Sequence, residues 1–328
     1  MKNTAALRQN KLTTNAAGGN IRNFFKNISP FNGREDMPKV LLLIKVFLSF
    51  ELCYWAGLLL AEGIVIAVHL ACGKNVLKGE MFDFATGTLI QYFGYIIPIG
   101  VIMLYWKLFK KKKLSELGIT KKFGSWFVGA AAGVILLTVC VAAVMAAGTV
   151  KFCGFYADPD ILMIVLMFFG FVIQGAFEEF LCRGLVFCSL KDKVSLPAAF
   201  AANAFLFALP HFGTLFESEP GFIVTGILGL AAISCVFSFI TLRAENIWAA
   251  CGLHTLWNFC LESVLGLNLS GIGSDRAASF MDMRNAGDNL LNGGKYGIES
   301  GIITIVVLTA AAVLMGIDHN RRKTSHNS

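Results

Sequence analysis

Residues 161–190 read ILMIVLMFFGFVIQGAFEEFLCRGLVFCSL, a long apolar run whose charges are Glu178, Glu179 and Arg183. A helix crosses about 30 Å of hydrocarbon in about 20 residues, so this run is long enough to span a membrane. Carboxylates at such depth are costly and need a reason. Adjacent residues of a helix point about 100° apart, so Glu178 and Glu179 serve different faces. Glu179 and Arg183 stand i,i+4 with the acid first, the favourable order for a helical ion pair. That pairing neutralises Glu179 and leaves Glu178 free, a desolvated carboxylate suited to general-base work on water. An ion pair that only fixes helix packing accounts for Glu179 with Arg183. It explains less of Glu178, because one arginine does not easily serve two faces.

Comparable apolar segments lie on both sides of this run. Counted with it they fall at about 41–71, 84–106, 124–149, 161–188, 196–211, 221–241, 246–266 and 300–317, giving about eight transmembrane helices. Hydrophobic residues make up 56% of the 328, charged residues 15%, and the mean hydropathy is +0.66. A water-soluble globule does not hide that much apolar surface. The runs do not alternate, which excludes a closed barrel. The expected fold is therefore an all-α, polytopic membrane helix bundle. The first forty residues lack the short apolar stretch and small-residue cleavage site of a removable signal peptide, so the N-terminus is expected to stay on. The nine cysteines sit mostly inside apolar runs with no CxxC spacing and read as small buried hydrophobes.

The net charge of +7 collects in the N-terminal tail, in Lys110 to Lys113 and at the C-terminus. Cytoplasmic loops of membrane proteins look like this, so the expected partner is the lipid bilayer and not nucleic acid. The tail before the first span and the stretch Lys107 to Lys122 carry seven Lys and Arg each, and Arg321, Arg322 and Lys323 close the chain. Eight spans with both termini cytoplasmic satisfy these biases. The chain then divides into a basic polar cytoplasmic tail (1–39, flexible or loosely membrane-associated), N-terminal transmembrane helices (40–109), a core (110–266), an extracytoplasmic loop (267–299), and a last helix with its basic tail (300–328). The fifth segment is the weak point. Leu196 to His211 rises only about 22 Å, short of a full crossing, and the following residues 212–217 are expected as a loop sunk into the protein.

Five histidines are present. His319 and His326 lie in the polar tail, and His69 stands alone, as a satisfied packing residue does. His211 and His254 have company. Asn203, Phe207 and His211 share one helical face, and His254 and Asn258 share another. Asn258 alone could be a helix-bridging hydrogen bonder. A carboxylate, two imidazoles and an amide on three apolar segments point instead to one buried pocket. Lys45, Glu51 and Glu62 have bland readings, with Lys45 snorkelling at the cytoplasmic end.

On these positions the sequence resembles the CAAX protease and bacteriocin-processing (CPBP, or Abi) family of intramembrane endopeptidases. The family's EExxxR matches Glu178-Glu179-Phe180-Leu181-Cys182-Arg183, its FxxxH matches Phe207-Ala208-Leu209-Pro210-His211, and its HxxxN/D matches His254-Thr255-Leu256-Trp257-Asn258. Leu114-Ser115-Glu116-Leu117-Gly118 and Leu242 to Ala250 are familiar flanks. The resemblance covers about residues 110–266. Asn203 departs from it, where relatives often carry Ser. The resemblance implies peptide-bond hydrolysis within or beside the membrane. Glu178 with His211 would activate a water, His254 with Asn258 would hold the oxyanion, Glu179 and Arg183 would position Glu178, and Phe207 would support the site. The family is commonly labelled metalloprotease, and zinc on His211, His254 and Glu178 is a feasible set. The HExxH signature is absent, and glutamate catalysis without a cofactor is the expectation. The pocket is expected near the midplane, opening towards the cytoplasm.

The alternative is a non-catalytic bacteriocin-immunity or membrane scaffold protein with the same fold. A transporter using Glu178 and the histidines as a proton relay would show repeated halves, and none are visible. The substrate would be a peptide or a membrane protein. Prenylated CAAX proteins, leader peptides and quorum-sensing precursors are all compatible, and no residue points to an oligomeric state.

Overall fold

A computed structural model describes residues 21–273 and 278–327. The first twenty residues of the tail, and the His326 side chain, lie outside the described residues. Seven helices among them are long and apolar enough to cross a membrane. They are α1 (Lys39–Ala71), α2 (Phe84–Lys110), α3 (Ser125–Ala146), α4 (Ile161–Leu190), α5 (Leu196–Leu215), α6 (Pro220–Ala244) and, last in the chain, α8 (Ile302–Ser325). Their starts follow local chemistry. The Asp83 and Asp160 carboxylates accept the Thr86 and Met163 backbone N–H at 3.0 and 2.9 Å, and α5 and α6 begin with proline in the first turn, where a missing N–H costs nothing. Large apolar side chains cover the outside, among them Leu59, Val128, Ile135, Leu162, Val306 and Leu314. This apolar exterior fits a multi-pass membrane protein, because lipid replaces water as the solvent.

The short element is the seventh segment, not the fifth. Helix α7 is α-helical over Trp248–Phe259 and ends in a wider turn over Cys260–Val264, too short to count among the seven. Its burial explains this. Ala249 to Thr255, Trp257 and Asn258 are all buried, enclosed by α3, α4 and α6, so α7 meets protein and not lipid. The approach to α3 is close enough to require glycine: a Cβ on Gly129 would lie 1.8 Å from the Ala249 carbonyl oxygen, and one on Gly252 would lie 2.0 Å from that of Trp126. The fifth segment is longer than its apolar run. Helical turns at Leu209–His211 and Phe212–Leu215 carry α5 to Leu215, so residues 212–215 are helix and not the expected sunken loop.

Two strands add to the all-α expectation. β1 (Val150–Phe155), after α3, pairs antiparallel with β2 (Met281–Asn285) from the 267–299 segment, with Val150 opposite Asn285 and Phe155 opposite Met281. The register slips between Phe152 and Phe155, where Gly154 takes a φ of +129°.

At the opposite end, the chain before α1 is better ordered than its composition implied. Residues 21–28 are helical. The Tyr105 hydroxyl donates to the Pro30 carbonyl at 2.8 Å. The buried Lys45 amine donates to Asn32 Oδ1 at 2.7 Å and to the Arg34 carbonyl, so Lys45 does not snorkel to water. Glu35 meets Lys112 at 2.7 Å, Lys193 at 3.4 Å and Lys110 at 3.7 Å, tying three connections together. Burial pushes its carboxyl up, but the Lys112 hydrogen bond and the charges of Lys112, Lys110 and Lys193 outweigh that and hold it below the usual range.

Candidate active site

Helix α4 supplies the acids. Its last turns widen over Phe180–Phe187, directly after Glu178 and Glu179, and every side chain of that stretch is buried. Such π-type turns recur at functional sites. Arg183 and Glu179 form the expected pair at 3.0 Å, both side chains fully enclosed. The guanidinium lies 4.6 and 4.7 Å from the centres of the Phe207 and Phe237 rings, and its other arm donates to Ser234 Oγ at 3.0 Å. This arrangement compensates a buried cation through ion pair, hydrogen bond and ring faces together.

Glu179 does more than pair with Arg183. The same Oε1 lies 2.9 Å from Nδ1 of His254 on α7. Gly175 allows the approach, since a Cβ there would meet Thr255 N at 3.3 Å and the His254 Cβ at 3.4 Å. With Nδ1–H held by a carboxylate, Nε2 of His254 is directed to the other acid and stands 3.8 Å from Glu178 Oε2. The imidazole is further fixed by stacking on Phe237, with ring centres 4.9 Å apart at 23°. Glu178 itself is about one-fifth exposed and faces a cavity of about 220 Å³.

The sequence reading missed Gln174. Its amide nitrogen donates to Glu178 Oε1, and its amide oxygen accepts from Asn258 Nδ2 at 3.0 Å. Gln174 precedes Glu178 by one helical turn inside the apolar run, a spacing that could have revealed it. Glu178, Glu179, Arg183, His254 and Asn258 thus form one connected set through Gln174.

His211 lies apart from that set. It lines the same cavity, but its Nδ1 meets the carbonyl of Phe207 at 2.9 Å. The Phe207 ring neighbours both histidines, with centres 5.2 Å from His211 and 6.2 Å from His254. Among the described residues no hydrogen bond or ion pair joins His211 to Glu178. Asn203 is away from the cavity, buried and donating to Ser238 Oγ at 2.9 Å.

Two further parts of the wall had no local signal. Tyr54 and Tyr95 face Phe177 and, with Tyr92, make an aromatic side. Leu269, Ser270, Ile272 and Glu299 of the 267–299 segment reach in to complete the lining. Glu299 accepts from Trp257 Nε1 at 2.9 Å and from both the backbone N–H and the hydroxyl of Ser270, at 2.9 and 3.0 Å. Ser270 is held at a φ of +48°, a left-handed conformation costing a non-glycine residue about 1 kcal/mol.

A zinc set does not assemble from these residues. His254 and Glu178 could share an ion, but a third ligand is needed, and no group of three His, Cys, Asp or Glu among the described residues is close enough to hold one.

Residues 160–260 match the family described as Rce1-like, Type II CAAX prenyl endopeptidase. The match takes in Glu178, Glu179, Arg183, Phe207, His211, His254 and Asn258, so the resemblance read from the three motifs holds over this part of the chain. No curated protein matches.

Proposed function

We propose that the chain is an intramembrane endopeptidase whose reaction centres on Glu178 and His254. The observation that carries this reading is the 3.8 Å separation of Glu178 Oε2 and His254 Nε2 at a cavity wall, with the far nitrogen of the imidazole held by Glu179. An acid and an imidazole so placed form a pair that can bind and deprotonate one water. Glu178 takes the proton as the water oxygen attacks the peptide carbonyl. With Glu179 on Nδ1–H and Glu178 beside Nε2, His254 acts here in its doubly protonated form, and the oxyanion receives hydrogen bonds from its Nε2–H and from the second N–H of Asn258. Glu178 then passes its proton to the leaving amine, and the carbon–nitrogen bond breaks. His211, which lines the same cavity beside the Phe207 ring, binds the peptide or the water, a lesser part than the motif implies. Glu179, Arg183 and Gln174 position these groups. No metal takes part in these steps.

The test uses purified, reconstituted protein and a pooled membrane-peptide library read by mass spectrometry, with Glu178→Ala, His211→Ala and His254→Ala alongside and with chelator present or absent. Cleavage by wild type, abolished at Glu178 and His254 and unaffected by chelator, is the expected result. Equal cleavage by the variants overturns the site. Loss with chelator, restored by zinc, overturns the metal-free route.

A further inference from the structure

We infer that the peptide reaches this site from the extracytoplasmic side; the inference rests on the endopeptidase reading and names its substrate class. Twenty of the 28 lysines and arginines fall in the N-terminal tail, Lys107–Lys122, Lys191–Lys193, Arg243 and the C-terminal tail; six fall in the connections at the other end. The less basic end is extracytoplasmic by that bias. It is also the end that bears the 267–299 segment, and therefore the end from which Ser270, Ile272 and Glu299 line the cavity. Beside them stand Pro210 and Thr214, at the outer end of α5. Pro210 and Ile272 are exposed and Thr214 half-buried, so the cavity meets solvent or lipid there.

The cytoplasmic direction is shut. Below Glu178 lies Arg183, enclosed between two rings, and below that Leu185, Val186 and Phe187 are fully buried. Phe187 packs on Phe200 at 5.2 Å. The segment around Pro30 to Glu35 is fastened across the same end by Tyr105, Lys45 and Lys112. Among the described residues, this packing leaves no cytoplasmic passage to Glu178.

The cavity walls between are aromatic and aliphatic, so the fitting substrate is an extended apolar segment. It arrives after translocation, as a secreted peptide or the outer portion of a membrane protein. A protein tethered by a lipid to the cytoplasmic leaflet is on the wrong side.

The test needs no turnover. Cys72 and Cys153 are the exposed cysteines. In a chain with Cys72→Ser and Cys153→Ser, Thr214→Cys and Ile272→Cys report on the cavity mouth. Leu77→Cys and Lys111→Cys mark the two membrane sides. A membrane-impermeant maleimide is applied to right-side-out and inside-out vesicles. The mouth cysteines are expected to react at least tenfold faster in right-side-out vesicles, together with Leu77→Cys, while Lys111→Cys reacts in inside-out ones. Faster reaction of the mouth cysteines alongside Lys111→Cys, or no reaction of either from any side, overturns the inference. Cleavage of peptide placed on one side of oriented proteoliposomes completes the comparison. Wild type that cuts nothing even in detergent counts against the endopeptidase reading and leaves the labelling result intact.

Discussion

Two glutamates in this protein are each surrounded by cations, and they do different work. Glu35 sits at the end of the bundle that carries the N-terminal segment, among Lys110, Lys112 and Lys193. Glu179 sits in the middle of the bundle with Arg183 and His254. At the margin, Glu35 and Lys110 are buried but water reaches Lys112 and Lys193, so the cluster is partly screened and shares its charge with solvent. In the bundle no water reaches the pair, and each partner left alone would be a bare charge in a low dielectric. Depth, and not composition, makes one cluster a clasp and the other a frame that holds an imidazole.

The comparison can be broken in four places. The largest effect is expected next to the buried cluster, at the acid that is not compensated: Glu178→Gln should lower the cleavage rate by roughly 10²–10⁴ while leaving the thermal midpoint of the detergent-solubilised protein almost unchanged. A large fall in the midpoint would make Glu178 structural. Next, Arg183→Met should destabilise by about 3–5 kcal/mol, because Glu179 is left buried and unpaired. Adding Glu179→Gln should recover much of that in a double-mutant cycle, while activity stays low because the acceptor at His254 Nδ1 has lost its negative charge.

Third, Glu35→Gln should cost about 2 kcal/mol by denaturant unfolding, less than Arg183→Met because two of its three lysines reach water, with cleavage retained. A cost equal to that of Arg183→Met would end the distinction between the clusters. The smallest effect is the pH dependence of that cost. The Glu35 carboxyl is held below its usual range, so its contribution is complete above the unfolded-state value of about 4.3 and fades as pH falls through the lowered folded-state value. Wild type and Glu35→Gln should converge in stability below that point and separate above it. Separation that grows towards low pH would have the wrong sign.

Much of this was legible locally. The Glu179–Arg183 pair followed from i,i+4 spacing on one helix, and the four catalytic candidates from their scarcity in apolar runs. What their spacing did not convey was partnership across helices. His254 was read with Asn258 as an oxyanion holder, yet its Nδ1 belongs to Glu179, 75 positions away. That contact exists because Gly129, Gly133, Gly175 and Gly252 let α7 sink between α3 and α4. The same sinking leaves α7 too short and too enclosed to be counted by length and apolarity, although it still carries the chain from the end beside Gly118 to the end that bears β2. Hydropathy reports how apolar a segment is, and α7 is shielded from lipid by its neighbours. The roof over the cavity was invisible for a similar reason, since Glu299 and Ser270 lie in a polar loop and acquire meaning only against Trp257.

Sequence by itself determined that this chain is a membrane bundle with acids, imidazoles and an amide at helical spacing, because solvation cost and helix periodicity are properties of short stretches. The tertiary structure decided which carboxylate grips the imidazole and which faces the cavity, and that His211 lines the same cavity beside a phenylalanine ring, apart from both acids. Those outcomes depend on close packing between segments far apart in the chain, where a glycine or a ring sets the distance and no local pattern encodes it.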